Sequence, residues 1–289
     1  MFVPSEDPDS IDDIDIMGVY VAPLNHYLGF TAAKTKDVML NEWDAVSYEL
    51  RHFIGMLLGA NPNVYPLLWM PNEHFIYSNE LGNELRNNRN LFVTKKAYHS
   101  FKGYATGQRK RMLRFNQEAK EELELRRQEL KTLGVDFNVD EPILPPGVQK
   151  SVEEKVKQYK ALYSKYFSGY MGAKRKRLVE QFGFDTKNAA HSIRLLRMAC
   201  EFLQTGELVV DRSSVDAAEL LSIKKGGWTL EECQEEADRL FEVLTAFYER
   251  SQLPEEPDYK LAEELCVRLI AKANNLSGFE SFYVKSGNG

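Results

Sequence analysis

The apolar residues of this chain change their period once, near Gly107, and that change limits what it can fold into. Ahead of Gly107 the sequence mixes β-like and helical stretches. Ile14, Ile16, Val19 and Val21 follow an acidic loop as one short strand, and Trp43 to Tyr48 offers a second. From Tyr48 to Leu58 the spacing turns helical and is ended by Gly59 and Asn61-Pro62. Asn63 to Trp69 is a short apolar run, and Leu91 to Gly107 reads as a helix anchored by Phe92, Tyr98, Phe101 and Tyr104. Beyond Gly107 almost every segment has a helical period. Gln108 to Leu133 reads as a charged, solvated helix in which Glu121, Glu122 and Glu124 lie near Arg126 and Arg127. Gly134 to Gln149, with Pro142, Pro145 and Pro146, reads as a long loop or linker. Helices are then expected at about 151–167, 171–182, 186–205, 213–223, 229–250 and 258–275. Thr229 and Glu232 supply a T-x-x-E capping box for one of them. The expected fold class is α+β: a small sheet with helices over residues 1–107, then a mostly helical domain over 108–289 with a Pro-rich loop near 134–150.

Of the 289 residues, 43% are hydrophobic and 28% charged, the balance of an ordinary globular protein. No apolar run approaches the roughly 20 residues that cross a bilayer. The start, MFVPSEDPDSIDD, lacks the basic and apolar regions of a signal peptide, so a cytoplasmic protein with no membrane partner is the expectation. Cys200, Cys233 and Cys266 lie far apart in helical stretches and form no C-x-x-C pair, so they are read as buried small hydrophobes. A formal charge of −6 argues against indiscriminate binding to a nucleic-acid backbone, while Arg109-Lys110-Arg111 and Lys174-Arg175-Lys176-Arg177 concentrate positive charge locally.

The sharpest local feature is Asp12-Asp13-Ile14-Asp15-Ile16-Met17-Gly18. In a strand, side chains alternate between faces, so Asp13 and Asp15 are expected on one face and Ile14 and Ile16 in the core. Two such close carboxylates repel unless a cation neutralises them. Mg²⁺ suits the pattern, because it takes one or two protein carboxylates and fills its octahedron with water and phosphate oxygens. A lone D-x-D is also what a solvated acidic turn looks like, so the motif by itself decides little.

Four segments, the first containing the motif itself, give it its context. PDSIDDIDIMGVYVAPLNHYLGF resembles the strand and loop of predicted nucleotidyltransferases of the DNA polymerase β superfamily, in the branch associated with bacterial and phage RNA repair. LRHFIGMLLGANPNVYPLLWMP, RNLFVTKKAYHSFKGYATGQ and GAKRKRLVEQFGFDTKNAAHSIRLLRMACEFLQTGEL resemble that family's later segments, in the same order. The resemblance implies a small mixed β-sheet nucleotidyltransferase module and a metal-dependent transfer of an NMP from an NTP to an acceptor hydroxyl, with release of pyrophosphate. It implies an RNA end as acceptor, with a protein hydroxyl as the other candidate, and Mg²⁺ (or Mn²⁺) held by three acids. Asp13 and Asp15 match the first two. For the third, Asp44 in Trp43-Asp44-Ala45 has the expected apolar flanks, and Glu49 is the alternative, though an early helical acid is also explained by the helix dipole. The family's Gly-Ser turn has no counterpart in MFVPSEDPDS, where Ser5 is present but no glycine occurs before Gly18. Either Met1 is an internal or misassigned start, or the phosphate cradle is lacking, and the second case leaves open a catalytically inactive relative that binds nucleotide or RNA.

Lys187, His191 and Arg194 fall at i, i+4 and i+7 and share one helix face. The resemblance makes them substrate contacts; a core histidine beside a paired arginine would produce the same spacing. His26, His52, His74 and His99 have no metal-ligand spacing. Tyr159, Tyr163, Tyr166, Phe167 and Tyr170 have the helical spacing of a core stripe, which base-stacking platforms can share.

Overall fold

The computed structural model describes residues 15–30, 35–40, 43–113, 117–138, 140–167 and 173–276. The elements run β1 (Asp15–Tyr20), α1 (Asn25–Leu28), β2 (Lys36–Leu40), β3 (Trp43–Glu49), α2 (Leu50–Leu58), α3 (Pro66–Trp69), α4 (Glu80–Asn87) and α5 (Lys96–Met112). After them come α6 (Gln117–Thr132), β4 (Asp136–Asn138), β5 (Glu141–Ile143), α7 (Lys150–Phe167) and α8 (Ala173–Phe182). The chain continues through α9 (Thr186–Thr205), α10 (Ala217–Lys224), α11 (Leu230–Arg250) and α12 (Tyr259–Ala273). The class is α+β, as expected.

Two compact units are formed. The first combines residues 1–103, 195–215 and 241–289, and the second residues 104–194 and 216–240. Their limits therefore fall inside α5, α9 and α11, and they group the chain differently from a single cut after residue 107.

The first unit holds a three-stranded mixed sheet in the order β1-β3-β2, with β1 parallel and β2 antiparallel to β3. The pattern of apolar residues announces β1 and β3 but not β2, whose Lys36 and Asp37 dilute it. What makes β2 a strand is its pairing: only Asn41 and Glu42 separate it from β3, the spacing of a tight hairpin. At the end of β3, Glu49 caps α2: its backbone is extended and its carboxylate accepts from the Arg51 and His52 amides at 2.8 and 3.0 Å. Tyr27 donates its hydroxyl to the same carboxylate at 2.5 Å and accepts from the Ala22 amide at 3.1 Å, tying the end of β1 to the start of α2. Burial, with the Glu49 bond second, pushes the Tyr27 hydroxyl pKa up. Phe53, Leu57, Val64, Tyr65, Phe101 and Phe202 form the core of this unit, and the Tyr65 hydroxyl is satisfied by the Phe92 carbonyl.

In the second unit α6 and α7 close on Leu123, Leu130, Val135, Val156, Tyr159 and Val179. Tyr159 is thus a core residue, its ring meeting Phe137 edge-on at 5.4 Å. The stretch read as a loop from Gly134 to Gln149 begins instead with a β4–β5 hairpin, in which Phe137 pairs with Pro142. Proline is acceptable there because both strands of a two-stranded ribbon are edges. The charged stretch 108–133 is two helices rather than one, α5 ending at Met112 and α6 starting at Gln117. The predicted capping box forms: the Thr229 amide donates to Glu232 at 2.7 Å and the Glu232 amide to the Thr229 hydroxyl at 3.1 Å.

All three cysteines are buried and unpaired with one another. Burial pushes the Cys233 thiol pKa up to about 12 and that of Cys266 up to about 11.

Candidate active site

β1 and β3 carry two of the three acids expected from the sequence. In their parallel ladder Asp15 is the Cα partner of Asp44, and the register continues through Ile16 and Ala45 to Tyr20 and Glu49. Adjacent strands lie about 4.8 Å apart, and directly paired positions belong to the same sheet face. Asp44 is on the central strand and pairs on its other side with Met39 of β2. Asp13 lies outside the described residues. Glu49, the alternative third acid, is only 3% exposed and its carboxylate serves the α2 cap and Tyr27. Among the described residues no group of three His, Cys, Asp or Glu side chains is gathered for a metal ion.

A cavity of about 410 Å³ runs beside β1 from Met17 to Val21 and is walled by Leu85, Arg86, Leu269 and Ala273, among others. Arg86 is held there by Asn72 Oδ1 and the Met70 carbonyl, both at 2.8 Å, and lies over the Phe75 ring. Its Nε is buried without a hydrogen-bond partner among the described residues. Nothing in the sequence singles these residues out, because the cavity is assembled from five separated segments.

A second hollow in the same unit, about 550 Å³, is lined by Lys95, Lys96, His99, Tyr248, Glu255 and Glu256, among others. Its lysines are already matched: Lys95 meets Glu255 and Lys96 meets Glu256, each at 2.7 Å. The bonds from Glu256 and Tyr259 hold the Lys96 ammonium pKa above its ordinary value. The hollow is consequently mixed in charge rather than basic.

Lys187, His191 and Arg194 belong to the second unit, on the N-terminal half of α9. Lys187 and His191 are half-buried and Arg194 is exposed, whereas Asn188, Ala189, Ser192, Ile193, Leu195 and Leu196 are buried. The i, i+4, i+7 face is thus the more open side of that part of the helix. Asp185 anchors this segment, accepting from the Asn188 amide at 3.0 Å and from its side-chain nitrogen at 2.5 Å. On α8, Arg177 is exposed. His52 and His99 are exposed and His26 and His74 half-buried.

Residues 4–133 match the family described as the RNA repair pathway DNA polymerase beta family. The matched stretch contains β1, β2 and β3, and with them Asp13, Asp15 and Asp44. No curated protein and no solved structure matches the chain.

Proposed function

Residues 4–133 of this chain match the RNA repair pathway DNA polymerase beta family, and on that premise we propose that the protein is a nucleotidyltransferase that moves an NMP from an NTP to an RNA end. The observation that supports it best is the parallel register of Asp15 with Asp44. Two acids paired across separate strands, with Asp13 two residues before Asp15 in the sequence, are oxygen donors of the kind that suits a hard divalent cation. Asp13, Asp15 and Asp44 would hold Mg²⁺ or Mn²⁺. Bound there, the metal neutralises triphosphate charge and lowers the pKa of the attacking hydroxyl.

The chain's own groups supply the rest. Asp44, on the central strand, accepts the proton of the acceptor hydroxyl as its oxygen attacks the α-phosphorus; the bond to the β-phosphate oxygen breaks and pyrophosphate leaves. Lys187, His191 and Arg194 contact substrate phosphates, Arg194 being suited to bidentate contact with two phosphate oxygens. A hydroxyl on a protein is the second acceptor class.

The test is transfer from α-labelled ATP, CTP, GTP and UTP to a mixed RNA pool and to protein, with Mg²⁺ or Mn²⁺. Metal-dependent label on RNA is the expected result. Tight NTP binding by a folded protein without transfer to either acceptor overturns the enzyme reading in favour of a nucleotide-binding relative.

A further inference from the structure

The cavity beside β1, about 410 Å³, lies wholly in the first unit and within the size range of small-molecule sites, roughly 300–1,000 Å³. Its lining is graded. Leu50, Leu68, Leu85 and Leu269, each at most 5% exposed, form the inner wall, and Tyr77, Ser78, Asn79 and Ala273 are exposed at the rim. α4 joins the two. Asn79 caps it, its side-chain oxygen accepting from the Gly82 amide at 3.0 Å, and so turns the exposed segment before it into a helix. Leu81 with Leu85, and Gly82 with Arg86, are then i, i+4 pairs that line the cavity together. Gly82, one turn ahead of Arg86, adds no side chain to that space.

Charge selects the occupant. Among the described residues of the lining, Arg86 is the one that carries charge, and it is half-buried. A guanidinium has five N–H donors. Arg86 gives one from each terminal nitrogen to a neutral acceptor, Asn72 Oδ1 and the Met70 carbonyl, both at 2.8 Å, and its plane lies over the neutral Phe75 ring at 4.3 Å. Among the described residues it meets no carboxylate, whereas Arg268 and Lys272 of the same unit share Glu84. A half-buried cation beside an apolar hollow is best matched by an anion that brings its own apolar body. One guanidinium balances one negative charge. A phosphate dianion or a triphosphate would carry more charge into the cavity than its lining neutralises, so a carboxylate fits better than either.

We propose that this cavity is a binding site for a small monocarboxylate with an apolar body, the carboxylate taking the N–H groups that Arg86 has left and the body lying against Leu85 and Leu269. The site does not depend on the transferase activity. It is tested by isothermal titration calorimetry of the full chain with octanoate and with 1-octanol, which share an apolar body and differ in charge. Octanoate is expected to bind once per chain and about tenfold or more tighter than octanol, the difference a charge-assisted hydrogen bond makes. Arg86→Met removes that preference and leaves the two ligands alike, and Arg86→Lys keeps part of it. Ala273→Trp, which narrows the rim from an exposed helix position, weakens both ligands by a similar factor. Should Arg86→Met not fold, the wild-type comparison and Ala273→Trp decide. Absence of octanoate binding, equal binding of octanoate and octanol by the wild type, or octanoate binding unchanged in Ala273→Trp overturns the proposal. So does displacement of octanoate by ATP, which would make the cavity part of a nucleotide site.

Discussion

Asp15 of β1 and Asp44 of β3 are direct Cα partners in a parallel ladder. Carboxylates carried at directly paired positions repel one another. A divalent cation reverses the sign. Saturating Mg²⁺ is therefore expected to raise the melting temperature of the wild type, whereas Asp44→Asn is as stable as the wild type or slightly more so without metal and gains little from it. Thermal unfolding with and without Mg²⁺ reads both effects.

Glu49 gives the opposite behaviour. Its carboxylate accepts from two amides at the start of α2 and from Tyr27. Glu49→Ala leaves three part-buried donors without their acceptor and is expected to cost about 1–2 kcal/mol in chemical denaturation. Glu49→Gln keeps part of the cap and costs less. A change of well under 1 kcal/mol for Glu49→Ala would contradict the structural role given to this acid.

α4 and α12 are joined by Glu84, which accepts from Arg268 at 2.6 Å and from Lys272 at 2.8 Å. Burial pushes the Glu84 carboxyl pKa up, but the Lys272 and Arg268 bonds together outweigh it and hold the group below its ordinary 4.5. A depressed carboxyl contributes stability that is complete above 4.5 and is lost as the pH falls through the lower folded value. The pair is partly solvated, so the contribution is about 1 kcal/mol or less. Glu84→Gln is expected to lose that amount at neutral pH and nothing at about pH 2, where the wild type has lost it too. The comparison of urea midpoints at the two pH values checks the sign.

Cys233 lies in the second unit and Cys266 in the first, and both thiols are buried with raised pKa values. Only a thiolate reacts quickly, so alkylation at pH 8 is expected to be slower at both sites than at an unfolded cysteine by a factor of at least about 100. Mass spectrometry of each labelled peptide then reports the opening of each unit separately. Rapid labelling of either residue in the native protein would contradict its burial.

Much of the fold was legible because its signals are local. The alternation around Ile14 to Val21 and from Trp43 to Tyr48 marks β1 and β3, and the Thr229–Glu232 box marks the start of α11. β2 and the β4–β5 hairpin were not legible, because Lys36-Asp37 and Pro142 read as non-strand until a partner strand is present to pair with them. The same divide runs through the site. Asp15 is conspicuous in its own segment and Asp44 is not; what joins them is the parallel register of two strands far apart in sequence, which no local pattern encodes. Glu49 shows the converse: its position at a helix start pointed to the helix terminus, and it is the cap.

The most direct test of the Asp15–Asp44 pairing as a metal site is the rate of NMP transfer by Asp44→Asn, set against Asp37→Asn. Asp37 is on β2 opposite Val46, away from the Asp15–Asp44 level. Asp44→Asn is expected to lose roughly a thousandfold or more in rate with the fold intact, and Asp37→Asn no more than a few-fold. Near wild-type transfer by Asp44→Asn, or a large loss in Asp37→Asn instead, would contradict the assignment.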